Sequence, residues 1–201
     1  MPERRLTSHE RRAGSSWDAS YTEGSPPWDT GGPQPEVERL QFAGPLLDAG
    51  CGSGENAIEI ARRGIEVVGV DVAPTAIRQA RAKAAGLPAT FIVADALQLH
   101  RLGRTFRSVL DCGLFHTFDD EERLAYVDSL AAVTERVLHL LCVSDAAPGE
   151  EGPRRVSRDE LRASFAAGWN VANIDEGRLL SAFGAMPAWV ARIERAPARQ
   201  N

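Results

Sequence analysis

The chain of 201 residues is 43% hydrophobic and 25% charged, the balance of an ordinary globular domain with one sizeable core. A formal net charge of -5 argues against a general nucleic-acid binder, which would carry a basic surface. No apolar run reaches the roughly twenty residues needed to cross a bilayer, and the opening MPERRLTSHERR is charged and lacks an apolar core, so the cytoplasm is the expected location.

In chain order, residues 1–35 are rich in Gly, Pro, Ser, Asp and Arg and show no sustained periodicity, which predicts a surface arm. The same arm carries Trp17, Tyr21 and Trp28, side chains that are costly to leave in water. Its second half is therefore expected to pack on the domain as a lid, and its first dozen residues to stay loose. A short helix at 36–42 leads into the domain proper, 36–201. From Gly44 onward, short apolar runs at 45–48, 66–71, 89–93, 108–112 and 137–144 read as buried parallel strands. Helical patterns separate them at 55–63, 74–85 and 121–135, the last with Leu124, Val127, Leu130 and Ala131 at helical spacing. Ser157 and Glu160 form a capping-box pattern that opens a helix to about 167, and strands follow at 169–175 and 188–194. This alternation predicts an α/β sheet with right-handed crossovers. Cys51, Cys112 and Cys142 are far apart, form no CxxC pair and have no metal-ligand spacing, so buried reduced thiols are expected. Lys83 is the single lysine among 23 basic residues, which reads first as codon bias.

The segment LLDAGCGSG, 46–54, ends the first strand and starts the first helix. Glycines at alternate positions let the backbone turn sharply and approach a ligand closely, in the place where open α/β sheets bind ligands. The spacing Gly50, Gly52, Gly54 puts Glu55 where a dinucleotide fingerprint has its third glycine, and no Lys-Ser/Thr pair follows to make a P-loop. Asp48, just ahead of the glycines, would repel a pyrophosphate and attract a cationic amino group. Asp71 ends the second strand, where a carboxylate can accept from ribose hydroxyls, and Asp95 follows the third, within reach of an adenine amino group.

Asp48–Gly54, Asp71 and Asp95 together resemble the first three motifs of the class I S-adenosylmethionine-dependent methyltransferases. The resemblance runs from about Leu40 to the C-terminus. It implies a Rossmann-like, doubly wound, seven-stranded and mostly parallel sheet with an antiparallel last strand, and S-adenosyl-L-methionine as cofactor. It also implies that Gly50 and Gly52 line the amino-acid end of that cofactor, that Asp71 with Val72 holds the ribose, and that Asp95 and the Ala96 amide read adenine. The arm residues Trp17, Tyr21 and Trp28 and the segment DCGLFHTF, 111–118, look like the branch that modifies thiols, thiopurines and heterocycles. In that branch an N-terminal Trp packs near the methionine end, which makes Trp28 the candidate.

Simpler readings stand beside these. Trp28 serves either the cofactor or only the arm; Asp71 and Asp95 either bind ligand or cap the next turn; Asp111 either touches cofactor or closes its strand. His116, after the fourth strand, either takes a proton from a hydroxyl or thiol acceptor or hydrogen-bonds its own loop. Arg154 and Arg155 either bind an anion or lie solvated. Methyl transfer from a sulfonium needs mainly alignment and a dry site, which agrees with the lack of a nucleophilic triad or metal cluster in the sequence. The expected partner is a flat small molecule, not nucleic acid or membrane. The competing readings are a non-catalytic nucleoside sensor and an NAD(P)-dependent oxidoreductase.

Overall fold

A computed structural model describes residues 6–149 and 152–196. Its strands are β1 (Leu46–Ala49), β2 (Val67–Asp71), β3 (Ala89–Val93), β4 (Phe106–Cys112), β5 (Thr134–Val143), β6 (Trp169–Ser181) and β7 (Gly184–Arg195), in the sheet order β3-β2-β1-β4-β5-β7-β6. All pairings from β3 to β5 are parallel, and β7 is antiparallel to both β5 and β6. This is the expected mostly parallel, Rossmann-like sheet with an antiparallel last strand.

The strands bury both faces, as strands between two helix layers must. Leu46, Leu110, Leu141 and Val143 point to one face, which is covered by α3 (Pro35–Arg39), α4 (Glu55–Arg62) and α5 (Pro74–Lys83). Leu47, Val109, Leu138 and Leu140 point to the other, covered by α6 (Asp120–Val133) and α7 (Arg158–Ser164). In α4, Ala57, Ile58, Ile60 and Ala61 are buried, and each large aliphatic side chain taken out of water contributes about 1.5–3 kcal/mol. The Asp119–Glu122 and Ser157–Glu160 capping boxes start α6 and α7, the second as its sequence pattern predicts.

Several boundaries differ from the sequence reading for physical reasons. The Thr134 hydroxyl donates to the Leu130 carbonyl and closes α6, so β5 starts directly at Thr134 and leaves no loop. In α6 the core side is Tyr126, Val127, Leu130 and Val133, and Leu124 is exposed. The hairpin β6–β7 is longer than expected, because its outer half is a two-stranded ribbon with little apolar alternation to announce it.

The arm departs most from expectation. Residues Ser8–Ala13 are a helix, α1, closed by a Thr7–Glu10 capping box, and Trp17–Thr22 form α2. The Ser8 amide and hydroxyl both donate to the Glu122 carboxylate at 2.6 Å, and the Asp119 amide donates to the Ser8 hydroxyl at 3.2 Å. The early arm is thus docked on the start of α6, not loose, because its polar residues pair with a helix N-terminus. Residues 1–5 lie outside the described residues.

Gly54 shows how tightly the first loop is built. Its φ is +89°, and an added Cβ would lie 2.8 Å from the Ala80 Cβ and 3.0 Å from the Phe91 ring. Gly54→Ala is expected to cost roughly 2–5 kcal/mol of stability, from left-handed backbone plus overpacking. Urea denaturation of the two proteins measures this.

Candidate functional site

The loops after β1, β2, β3 and β4 open at one edge of the sheet, and the four acids expected to matter stand at those strand ends. At the first, the Gly50 and Cys51 amides donate to the Val70 carbonyl and fold the chain into a bend. A Cβ on Gly50 would lie 3.0 Å from the Leu114 side chain, and one on Gly52 would lie 2.7 Å from the Tyr21 hydroxyl. Glycine is required at both positions because the β4 loop and the arm approach the bend so closely.

Asp48 is 1% exposed, and its Oδ2 has no hydrogen-bond partner among the described residues. Burial, aided by the charges of Asp111 and Asp71, pushes its carboxyl up to about 8, while the Ala57 amide pulls the other way. Asp71 accepts from the Gly52 amide through Oδ2 and from the Ala73 amide through Oδ1, each at 2.9 Å, so it ties the first two loops together. Val72, half-buried, lies between these two tied residues. Asp95 accepts from the Leu97 amide at 2.9 Å and caps a 3-10 turn, Ala96–Leu102, in which Ala96 is buried with its carbonyl bonded to the Ser129 hydroxyl.

Asp111 is fully buried, and both its oxygens accept from the Leu114 and Phe115 amides. It holds the β4 loop in shape and does not project from it, which favours the strand-closing reading over a ligand contact. Burial still lifts its carboxyl to about 6, against the opposing pull of those amides and of Tyr126.

His116 lies in the 3-10 turn Phe115–Thr117, buried, with Nδ1 accepting from the Val143 amide at 3.1 Å. An imidazole whose Nδ1 accepts carries its proton on Nε2, so it can donate but not take a second proton without losing that bond. Burial first, then Arg123, His9 and Arg155, push it down to about 3. Of the two readings of His116, this bonding favours the tie, here between the β4 loop and β5, over the base. Arg154 is ion-paired with Asp120 and Glu160, and Arg155 donates to the Pro148 and Pro153 carbonyls.

The arm covers the bend with aromatic rings. Tyr21, not Trp28, is the ring that meets Gly52; the Trp28 indole donates to the Tyr21 hydroxyl at 2.9 Å and remains 42% exposed. Trp17 stands edge-on to Trp28, with centroids 5.4 Å apart, and His9 stacks flat on Trp17 at 4.4 Å. Trp17 and Tyr21 are four apart on α2, so helical spacing alone could have put them on one face. Asp18 accepts from the Thr75 amide at 2.6 Å, taking the cap position of α5 that no side chain of its own fills. Lys83, the lone lysine, pairs with Glu55 and donates to the Ser53 hydroxyl at 3.0 Å, and that hydroxyl donates to Asp29 of the arm at 2.6 Å. A separate groove of about 830 Å³, lined by Glu36, Arg39, Arg178 and Trp189, lies at the β6–β7 hairpin.

Comparison with known proteins points one way. A family model for a methyltransferase domain matches residues 46–136. The chain is 39% identical over 165 residues to a 2-heptyl-1-hydroxyquinolin-4(1H)-one methyltransferase of Mycobacteroides abscessus, covering 77% of this chain and 73% of the relative. A solved structure from work on conversion of a disulfide bond into a thioacetal group during echinomycin biosynthesis superposes with a TM-score of 0.80 at 37% identity, over 89% of this chain and 91% of that one. The magnesium protoporphyrin IX methyltransferase of Synechocystis PCC 6803, solved with bound SAM, shares the fold at a TM-score of 0.61 and 24% identity, over 75% and 69% of the two chains.

The buried Asp48 has a consequence for stability. Its folded value of about 8 is above its ordinary 3.8, so it contributes stability below pH 4 that is lost as pH rises to about 8. Asp48→Asn removes this loss. The ligand-free variant is expected to melt at least about 2–4 °C above the parent at pH 8, with the gap narrowing as pH falls and closing near pH 4, as calorimetric melts across that range would read.

Proposed function

Since the chain belongs to the class I S-adenosylmethionine-dependent methyltransferases, we propose that it methylates a hydroxyl, thiol or ring nitrogen of a flat aromatic or heterocyclic small molecule. One observation carries the assignment of the site: a buried, unpartnered carboxylate oxygen on Asp48 at a glycine bend covered by aromatic side chains. A cationic amino group satisfies that oxygen, and a pyrophosphate does not, so the residues present fit the cofactor's amino-acid end. The hydroxyquinolinone named for the M. abscessus relative supports an acceptor of this flat, heteroatom-bearing kind.

In this reading Asp48, Gly50 and Gly52 receive the amino-acid end, Asp71 and Val72 the ribose, and Asp95 with the Ala96 amide the adenine. When bound, S-adenosylmethionine supplies an electrophilic methyl carbon on a positively charged sulfur. The chain contributes alignment and dryness. Tyr21, Trp17 and Trp28 exclude water from above the bend, and Leu114, held in place by Asp111, forms the wall on the acceptor side. His116 presents Nε2–H as a fixed donor near Gly113 and positions the acceptor. Because the arm lies directly on the bend, ligand exchange requires it to lift. Three free cysteines support a reducing, cytoplasmic setting.

Isothermal titration is expected to show binding of S-adenosylmethionine and of its demethylated product, but not of NAD. Asp71→Ala should weaken that binding by about 1–3 kcal/mol, since it leaves ligand hydroxyls unpaired. Asp48→Asn should weaken it by about 1.5–3 kcal/mol, the worth of a hydrogen bond to a charged group, even though it stabilises the empty protein. Tyr21→Ala should speed release of the demethylated product about tenfold, a change of ~1.4 kcal/mol, measured by stopped-flow competition.

A further inference from the structure

A neutral hydroxyl acceptor must lose its proton as its oxygen bonds to the methyl carbon, and the β4 loop does not supply a base. His116 has its Nδ1 occupied by the Val143 amide, and Asp111 is fully buried and turned onto the Leu114 and Phe115 amides of its own loop. The arm brings another imidazole to the same place. Ser8 is bonded to Asp119 and Glu122, so the next residue, His9, is set beside the end of the β4 loop, three residues beyond His116. Its charge is within electrostatic reach of the buried His116 ring.

On its other side, the His9 ring lies flat on Trp17, with an interplanar angle of 10°. Trp17 meets Trp28, and Trp28 is hydrogen-bonded to Tyr21 above Gly52. His9, Trp17, Trp28 and Tyr21 thus form a continuous row across the mouth of the crevice, from the β4 loop to the glycine bend. No hydrogen bond to another described residue occupies either nitrogen of His9, in contrast to His116.

We propose that His9 takes the proton from the acceptor's hydroxyl, which makes the arm part of the catalytic machinery as well as a cover; this rests on the methyl-transfer reading above. In the step, the acceptor's O–H bond breaks and its proton passes to a His9 ring nitrogen. The oxygen lone pair forms the C–O bond, and the methyl–sulfur bond breaks with its electrons going to sulfur, which leaves a neutral thioether. His9 returns the proton to solvent when the arm lifts.

The surroundings keep His9 ready for this. Burial first, then Arg12, hold it below its ordinary 6.5, and Glu10 pulls it up. His116 of the β4 loop is within electrostatic reach of it, and the nearby α6 acids Asp119 and Glu122, which bind Ser8, are both paired with Arg11. Burial and Arg12 thus favour the neutral imidazole, the form that can accept a proton.

The test is the pH dependence of kcat for the full chain and its His9→Gln variant, from pH 6 to 10. The hydroxyl acceptor is 2-heptyl-1-hydroxyquinolin-4(1H)-one, with thiophenol as an acceptor that ionises by itself. At the acid end, His9→Gln should lose about a hundredfold or more in kcat on the hydroxyl acceptor, the usual worth of a positioned base. The loss should shrink towards parity at high pH, once the acceptor is ionised, and thiophenol turnover and S-adenosylmethionine affinity should change less than about threefold. Equal losses on both acceptors at every pH would make His9 structural and overturn the proposal, as would a variant within about threefold of the parent at the acid end. A parent chain that binds no S-adenosylmethionine would instead overturn the reading beneath it.

Discussion

Asp48 sits on the central strand with one oxygen buried and unsatisfied, next to two further acids on neighbouring strands. Leaving a charged group in such a place is costly unless it is neutralised or paired. Burial favours its protonated form in the empty protein, and in the reading proposed above a ligand with a cationic head would relieve it. The glycines, the Asp71 tie and the aromatic cover are arranged around that deficiency, and each brings a backbone amide or an apolar surface to the same crevice.

The arm makes the second half of the arrangement. It is fixed at separate points on the domain: Ser8 on α6, Asp18 on α5, Asp29 on the glycine loop, Pro27 on the hairpin and Gln34 on Leu180. Each anchor is a polar contact, worth about 0.5–1.5 kcal/mol net between neutral groups and about 1.5–3 kcal/mol at the carboxylates. Between them lies the aromatic row, whose burial is the larger contribution.

The sheet was legible because its signals are local and strong. Short apolar runs, alternate glycines and acids at strand ends each have a physical reason to appear where they do. The capping box at Ser157 likewise announced α7. The arm was less legible, since Ser8, Asp18 and Asp29 find their partners on α6, α5 and the β1 loop, and nothing in their own neighbourhood reveals that. The resemblance points to Trp28, yet Tyr21 is the residue against Gly52, a distinction that depends on how α2 is rotated. His116 was singled out for its position after β4, but its tautomer is fixed by the Val143 amide, a partner on the next strand. His9 lay in a stretch read as loose and acquired a setting only once α1 docked.

Composition first explained the scarcity of lysine, and the structure places the one that exists at the hinge of the site. Lys83 binds Ser53, and Ser53 holds Asp29 of the arm. An amine-directed reagent therefore meets a single side-chain target in the whole chain, and that target is the ammonium group clamping the cover to the bend. Its rate of acylation, read by mass spectrometry, reports on that one group with no engineered substitution in the chain.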